Sequence, residues 1–123
     1  MSAWIRFNYQ GKVGFGSLKD QTIQLYDGDL FDRPSPNGQT LPLQQVSLLT
    51  PCVPGKMLGL WNNFHQRAEK EGWSKPEHPL YFIKVSSCFN AAEQPIRRPA
   101  NYSGPVVFEG ELGIVIGKTC HNI

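Results

Sequence analysis

Two carboxylates stand two residues apart in an otherwise apolar run, Val106-Val107-Phe108-Glu109-Gly110-Glu111-Leu112-Gly113-Ile114-Val115-Ile116-Gly117-Lys118. On a strand such residues share a face and emerge roughly 6.5 to 7 Å apart, so Glu109 and Glu111 could converge on one cation. Phe108, Leu112, Ile114 and Ile116 take the opposite face as a core stripe, and Gly110 and Gly113 leave the backbone open to close approach. The plain alternative is an exposed edge strand with two solvated Glu side chains. His65 is the candidate base, because imidazole exchanges protons near neutral pH without a large environmental shift. A histidine ahead of a helix can equally be a cap or a hydrogen-bonded surface group.

The elements that must position these residues are short. Residues 3–9 and 12–18 read as two strands joined at Gly11, and residues 21–26 as a third that ends in Asp27-Gly28-Asp29. Trp4, Phe7 and Tyr9 beside Val13, Phe15 and Leu18 predict a small β-meander. Residues 32–38 hold Pro34, Pro36 and the pair Asn37-Gly38 and read as a loop; residues 41–49 form a further extended apolar segment. Pro51 and Pro54 mark a linker, with a domain boundary near residue 53. Beyond it, residues 57–60 form a short strand that delivers the chain to Trp61-Asn62-Asn63-Phe64-His65. Residues 66–71 favour a helix that stops at Gly72, which places His65 at its start. Residues 80–85 read as a strand, 86–98 as a loop or short strand with Pro95, and 106–118 as a long strand. The fold class is mainly β (α+β).

At 123 residues the chain is long enough for one modest core, burying roughly two thirds of its unfolded surface. Ten Pro and twelve Gly favour strands and turns over long helices. Twelve basic against ten acidic side chains, a formal net charge of +2 without any run, imply no polyanion-binding field and make nucleic acid a poor partner. Cys52, Cys88 and Cys120 lack metal-type spacing and leave one unpaired, which argues against a disulfide framework or a structural zinc site. The N-terminus has no signal-peptide pattern and no membrane-length apolar run occurs, so a cytoplasmic protein without a membrane partner is expected.

Four landmarks in order, Pro54-Gly55-Lys56-Met57-Leu58-Gly59-Leu60, His65, Pro79-Leu80-Tyr81-Phe82-Ile83-Lys84-Val85-Ser86-Ser87 and Phe108-Glu109-Gly110-Glu111-Leu112, resemble the fumarylacetoacetate hydrolase family. The resemblance covers residues 56–118. It implies a small N-terminal β domain over residues 1–53, followed over 54–123 by the opening, apparently incomplete, of a mixed β-roll catalytic domain. Glu109 and Glu111 then inherit the role of ligands to Mg²⁺ or Mn²⁺, and His65 that of the active-site histidine. The family often places a Glu three residues after that histidine; here the position is Ala68, with Glu69 one step further within the same helical turn as its substitute. Lys84 matches a family lysine that could hold a substrate carboxylate or enolate oxygen, and Ser86 and Ser87 follow where hydroxyls could reach substrate or simply turn the chain. His78 reads as loop surface and His121, almost at the terminus, carries no signal, while Arg97 and Arg98 read as either binders of an anionic tail or an exposed turn.

What the resemblance implies chemically is a cation chelated by a 2-oxo or 2-hydroxy-dienoate carboxylate from aromatic breakdown, with charge stabilised toward an enolate. Ala68 tilts the expectation toward isomerase or decarboxylase chemistry; an acylpyruvate or fumarylacetoacetate-type C–C hydrolase is the alternative. A non-catalytic subunit of a split assembly is the reading from another class. The family's third ligand, an Asp on a later strand, has no counterpart here. A downstream segment or second polypeptide carrying that Asp is therefore an expected partner, in an enzyme that is a homo-oligomer when complete.

Overall fold

A computed structural model describes residues 3–123. Its contacts divide the chain into two compact units, Met1–Pro51 with Ala91–Ile123, and Cys52–Asn90. Strands dominate both, in antiparallel sheets.

The first unit is built on a five-stranded sheet. Strands β1 (Ala3–Tyr9), β2 (Lys12–Lys19) and β3 (Thr22–Asp29) follow one another as hairpins, β4 (Asp32–Pro42) pairs with β3, and the two-residue β5 (Ser47–Leu48) lies on the free side of β1. The first two connections are two-residue turns in which both residues have positive φ, Gln10 (49°) with Gly11 (83°) and Asp20 (48°) with Gln21 (65°). That backbone matches the twist of the flanking strands, which explains the tightness of the hairpins. Asn8 reinforces the first by accepting the Gly11 N–H on Oδ1 at 3.0 Å. The Leu49 N–H donates to the Arg6 carbonyl at 2.9 Å, tying the chain beyond β5 back to β1.

Register decides which side chains meet. Phe7 stands opposite Gly14, Gly16 opposite Leu25 and Leu18 opposite Ile23, so one face gathers Ile5, Phe7, Leu18, Ile23 and Leu25. Phe7 (2% exposed) and Ile23 (0%) are its buried centre. Trp4 and Phe15 fall on the other face, where Trp4 meets Tyr26 edge-on with centroids 4.7 Å apart. The Phe7 ring lies over Gly14, where a Cβ would come within 2.9 Å of Cζ.

Three expectations need correcting. Residues 32–38, expected as a loop, are part of β4. Pro34 and Pro36 are tolerated because β4 is the sheet's edge, where one side of the strand needs no ladder bonds. The register shifts twice along β3 and β4, with Gly28 at φ 96° in one of the irregularities. Residues 41–49 are only partly extended: a 3-10 turn, Leu43–Gln45, separates β4 from β5.

The third correction concerns residues 106–118, which form no strand. A strand needs a neighbour to take its backbone N–H and C=O groups, and none of the described strands pairs with this segment. The expected core stripe is correspondingly exposed, Phe108 at 98%, Leu112 at 86%, Ile114 at 80% and Ile116 at 72%.

The second unit is a two-stranded ribbon and one helix. Strand β6 (Met57–Trp61) pairs with β7 (Leu80–Lys84) from Met57 opposite Lys84 to Trp61 opposite Leu80, and α1 (His65–Glu71) lies between them in sequence. Gly59 faces Phe82 across the ribbon, with room for the ring only because no Cβ is present; one would lie 2.5 Å from Cζ. Ala68 is the unit's buried apolar residue. No described helix is long and apolar enough to cross a membrane.

Candidate functional site

The second unit carries the histidine. At the end of β6 the chain bends through Asn62, whose φ of 51° is left-handed, and enters α1 at His65 behind an extended Phe64. Asn tolerates that conformation better than most residues. The helix closes at Gly72 (φ 70°), whose N–H reaches the carbonyls of Ala68 and Glu69, while the Trp73 N–H donates to the Ala68 carbonyl at 2.8 Å. These bonds satisfy carbonyls that the last helical turn leaves open.

Within α1, His65 Nε2 lies 3.1 Å from Glu69 Oε1, a contact between residues four apart. Both side chains are largely exposed, at 80% and 68%. Glu69 thus sets a carboxylate against the ring, whereas position 68 is an alanine. A carboxylate on one ring nitrogen fixes the orientation of the imidazole and leaves the other nitrogen to exchange a proton with a bound group.

Lys84 ends β7 opposite Met57, whereas α1 departs from the Trp61 end of the ribbon. Four residue steps, roughly 13 Å, separate those two ends. Its ammonium lies 5.7 Å from the Phe82 ring centroid. Ser86 and Ser87 occupy an exposed 3-10 turn, Ser86–Cys88, held by the Cys88 N–H to Val85 carbonyl bond of 2.9 Å.

Glu109 and Glu111 are exposed and belong to the first unit. The common strand face expected to converge them is absent with the strand itself. Their hard carboxylate oxygens suit Mg²⁺ or Mn²⁺ in kind. Among the described residues, however, no three His, Cys, Asp or Glu side chains gather as a metal-binding group. Arg98, considered for an anionic tail, is engaged in a turn: its Nε donates to the Tyr102 carbonyl at 2.9 Å and a terminal nitrogen to the Gly104 carbonyl at 2.6 Å. His78 is a surface group 3.9 Å from Glu77.

Sequence reasoning passed over Asn62, Trp73 and Ser74. The signal was there in a residue tolerant of left-handed backbone immediately ahead of a helix, and in Trp61 and Trp73 flanking that helix.

Two family models match the chain, one on either side of residues 52–55. Residues 3–51 match the family model "Rv2993c-like, N-terminal", and residues 56–123 match "Fumarylacetoacetate (FAA) hydrolase C-terminal". Protein Rv2993c of Mycobacterium tuberculosis is 38% identical over 93 residues, 76% of this chain and 35% of its own length. A 4-hydroxyphenylacetate degradation bifunctional isomerase/decarboxylase of Salmonella dublin is 33% identical over 69 residues, 56% of this chain and 16% of its own. The crystal structure of 2-hydroxyhepta-2,4-diene-1,7-dioate isomerase from Mycobacterium marinum superposes with a TM-score of 0.54 at 22% identity, over 68% of this chain and 32% of that one. The chain thus spans about a third of the length of Rv2993c.

Proposed function

The chain belongs to the fumarylacetoacetate hydrolase family, and from that premise we propose that it is part of a metal-dependent isomerase or decarboxylase acting on 2-oxo or 2-hydroxy-dienoate carboxylates. The Salmonella dublin isomerase/decarboxylase supports that choice of reaction. The single observation that carries the chemistry is the His65–Glu69 contact of 3.1 Å.

In this reading Glu109 and Glu111 hold Mg²⁺ or Mn²⁺, and the remaining protein ligand comes from outside the described residues, on a downstream segment or a second polypeptide. Such an ion, when bound, would supply Lewis-acid stabilisation of negative charge on a substrate oxygen. Glu69 holds the His65 ring, and His65 moves the proton between carbon positions or onto the carbon that loses carbon dioxide. Lys84 and the hydroxyls of Ser86 and Ser87 bind the substrate's carboxylate end. A second reading, an acylpyruvate-type C–C hydrolase, is favoured by the same contact, because a carboxylate-held imidazole is also equipped to take a proton from water.

The natural protein, assayed with Mn²⁺ on 2-hydroxyhepta-2,4-diene-1,7-dioate and on acetylpyruvate, separates the two readings by which substrate is consumed. Glu109→Gln with Glu111→Gln is expected to abolish turnover and Mn²⁺ binding by calorimetry; unchanged Mn²⁺ affinity would remove both residues from the metal site. His65→Ala is expected to lower turnover roughly a hundredfold to ten-thousandfold with Mn²⁺ binding kept.

A further inference from the structure

A helix of seven residues does not stand alone, since isolated helices shorter than about 12–15 residues are marginal in water. Something must hold α1, and with it the geometry of His65 against Glu69. The contacts that do so converge on the two points where the chain enters and leaves the excursion from β6. At the entry, Asn62 Nδ2 donates to the Ser74 carbonyl at 3.0 Å. One residue before Asn62 and one before Ser74, the rings of Trp61 and Trp73 lie 5.0 Å apart, and the Arg67 guanidinium sits 5.7 Å from the Trp73 centroid. Entry and exit are thereby tied across twelve residues of sequence, which removes most of the freedom such a loop would otherwise keep.

Asn62 meets two demands at once. Its φ of 51° favours a residue that accepts left-handed backbone, and the clasp on the segment leaving α1 needs a side-chain donor aimed at the Ser74 carbonyl. Glycine satisfies only the first demand and glutamine only the second. The cost shows on the same side chain: Asn62 Oδ1 is buried without a hydrogen-bond partner. A buried carbonyl oxygen left unbonded is unfavourable, a cost set against the bond that the amide nitrogen makes.

We propose that Asn62 is a positioning residue for the His65–Glu69 pair, its amide clasping Ser74 so that the chain closes around α1 and presents the imidazole in a fixed place at the end of β6. The catalytic consequence rests on His65 being the proton shuttle.

Three variants of the natural protein test this: Asn62→Gly, which keeps the backbone conformation and loses the clasp; Asn62→Asp, which keeps the shape and turns the donor into an acceptor facing the Ser74 carbonyl; and His65→Ala. Amide hydrogen exchange at Ala68, Gly72 and Trp73 reads the helix without reference to activity. Turnover of 2-hydroxyhepta-2,4-diene-1,7-dioate or acetylpyruvate, whichever the protein consumes, reads the consequence. Both Asn62 variants are expected to speed exchange at these amides and to lower kcat about tenfold with KM little changed, a fraction of the roughly hundredfold or greater loss in His65→Ala. Combined with His65→Ala, Asn62→Gly should cost nothing further, because two residues acting through one group are not additive. Unchanged exchange in both Asn62 variants overturns the clasp, and a full tenfold loss persisting in the His65→Ala background overturns its action through the imidazole. Undiminished turnover in His65→Ala instead overturns the proton-shuttle reading and the catalytic consequence with it, so the two failures are told apart.

Discussion

The meander of β1 to β3 and the segment 106–118 both carry strand-like apolar residues, and they end in opposite states. Phe7 and Ile23 are sealed in the meander, while Phe108, Leu112, Ile114 and Ile116 lie open to solvent. The contrast follows from how far away each strand's partner is. Every strand of the meander finds its neighbour two residues on, across a turn whose backbone is set for a hairpin. Residues 106–118 have no such local neighbour, and alternation alone does not form a ladder. Between these extremes stands the β6–β7 ribbon, paired over five residue positions yet exposed along most of its length, Leu58 at 57%, Tyr81 at 66% and Ile83 at 68%.

The sharpest way to break this comparison is to remove one buried and one exposed isoleucine. Ile23→Ala in the 123-residue chain should destabilise the first sheet by about 2–5 kcal/mol in urea unfolding followed by fluorescence. Ile114→Ala should change the same transition by about 0.5 kcal/mol or less. Comparable losses in the two variants would mean that residues 106–118 pack in solution. An effect smaller than that of Ile23→Ala is expected from Gly16→Ala, whose methyl would meet the Gln24 carbonyl oxygen and Ile23 Cγ2 across the β2–β3 pair. Relief requires the backbone to move, at about 1–3 kcal/mol; a wild-type midpoint would show that the strands separate freely. Among the destabilising variants the smallest loss should come from Gly11→Ala, above the level set by Ile114→Ala: it has open space for its methyl but a φ of 83°, and so loses about 1 kcal/mol through conformation alone.

These differences also explain what could be read from residue order. Strands β1 to β3 and the helix stopping at Gly72 were legible because their signals are local: alternation, a glycine in a two-residue turn, a glycine at a helix end. The edge position of β4 was not, since Pro34 and Pro36 break a strand inside a sheet and pass unnoticed at its rim, and rim or interior is decided by elements elsewhere. The contact between His65 and Glu69 was legible from a four-residue spacing. A face shared by Glu109 and Glu111 depended on a strand that only a distant partner could make, and the Asn62 to Ser74 bond spans a bend that no periodicity announces.

Two strand pairs in different units share one device, a phenylalanine lying on a glycine directly opposite: Phe7 on Gly14 and Phe82 on Gly59. A missing methyl group works here as a key. If either pair slid by one residue, the ring would meet a neighbour with a Cβ, and every side chain of the sliding strand would change face. Each glycine thus stores a single piece of positional information, which partner residue it must meet. In the ribbon that information fixes Lys84 beside Met57 and sets where the chain leaves for His65, so the spacing between His65 and Lys84 is written in the absence of an atom at position 59.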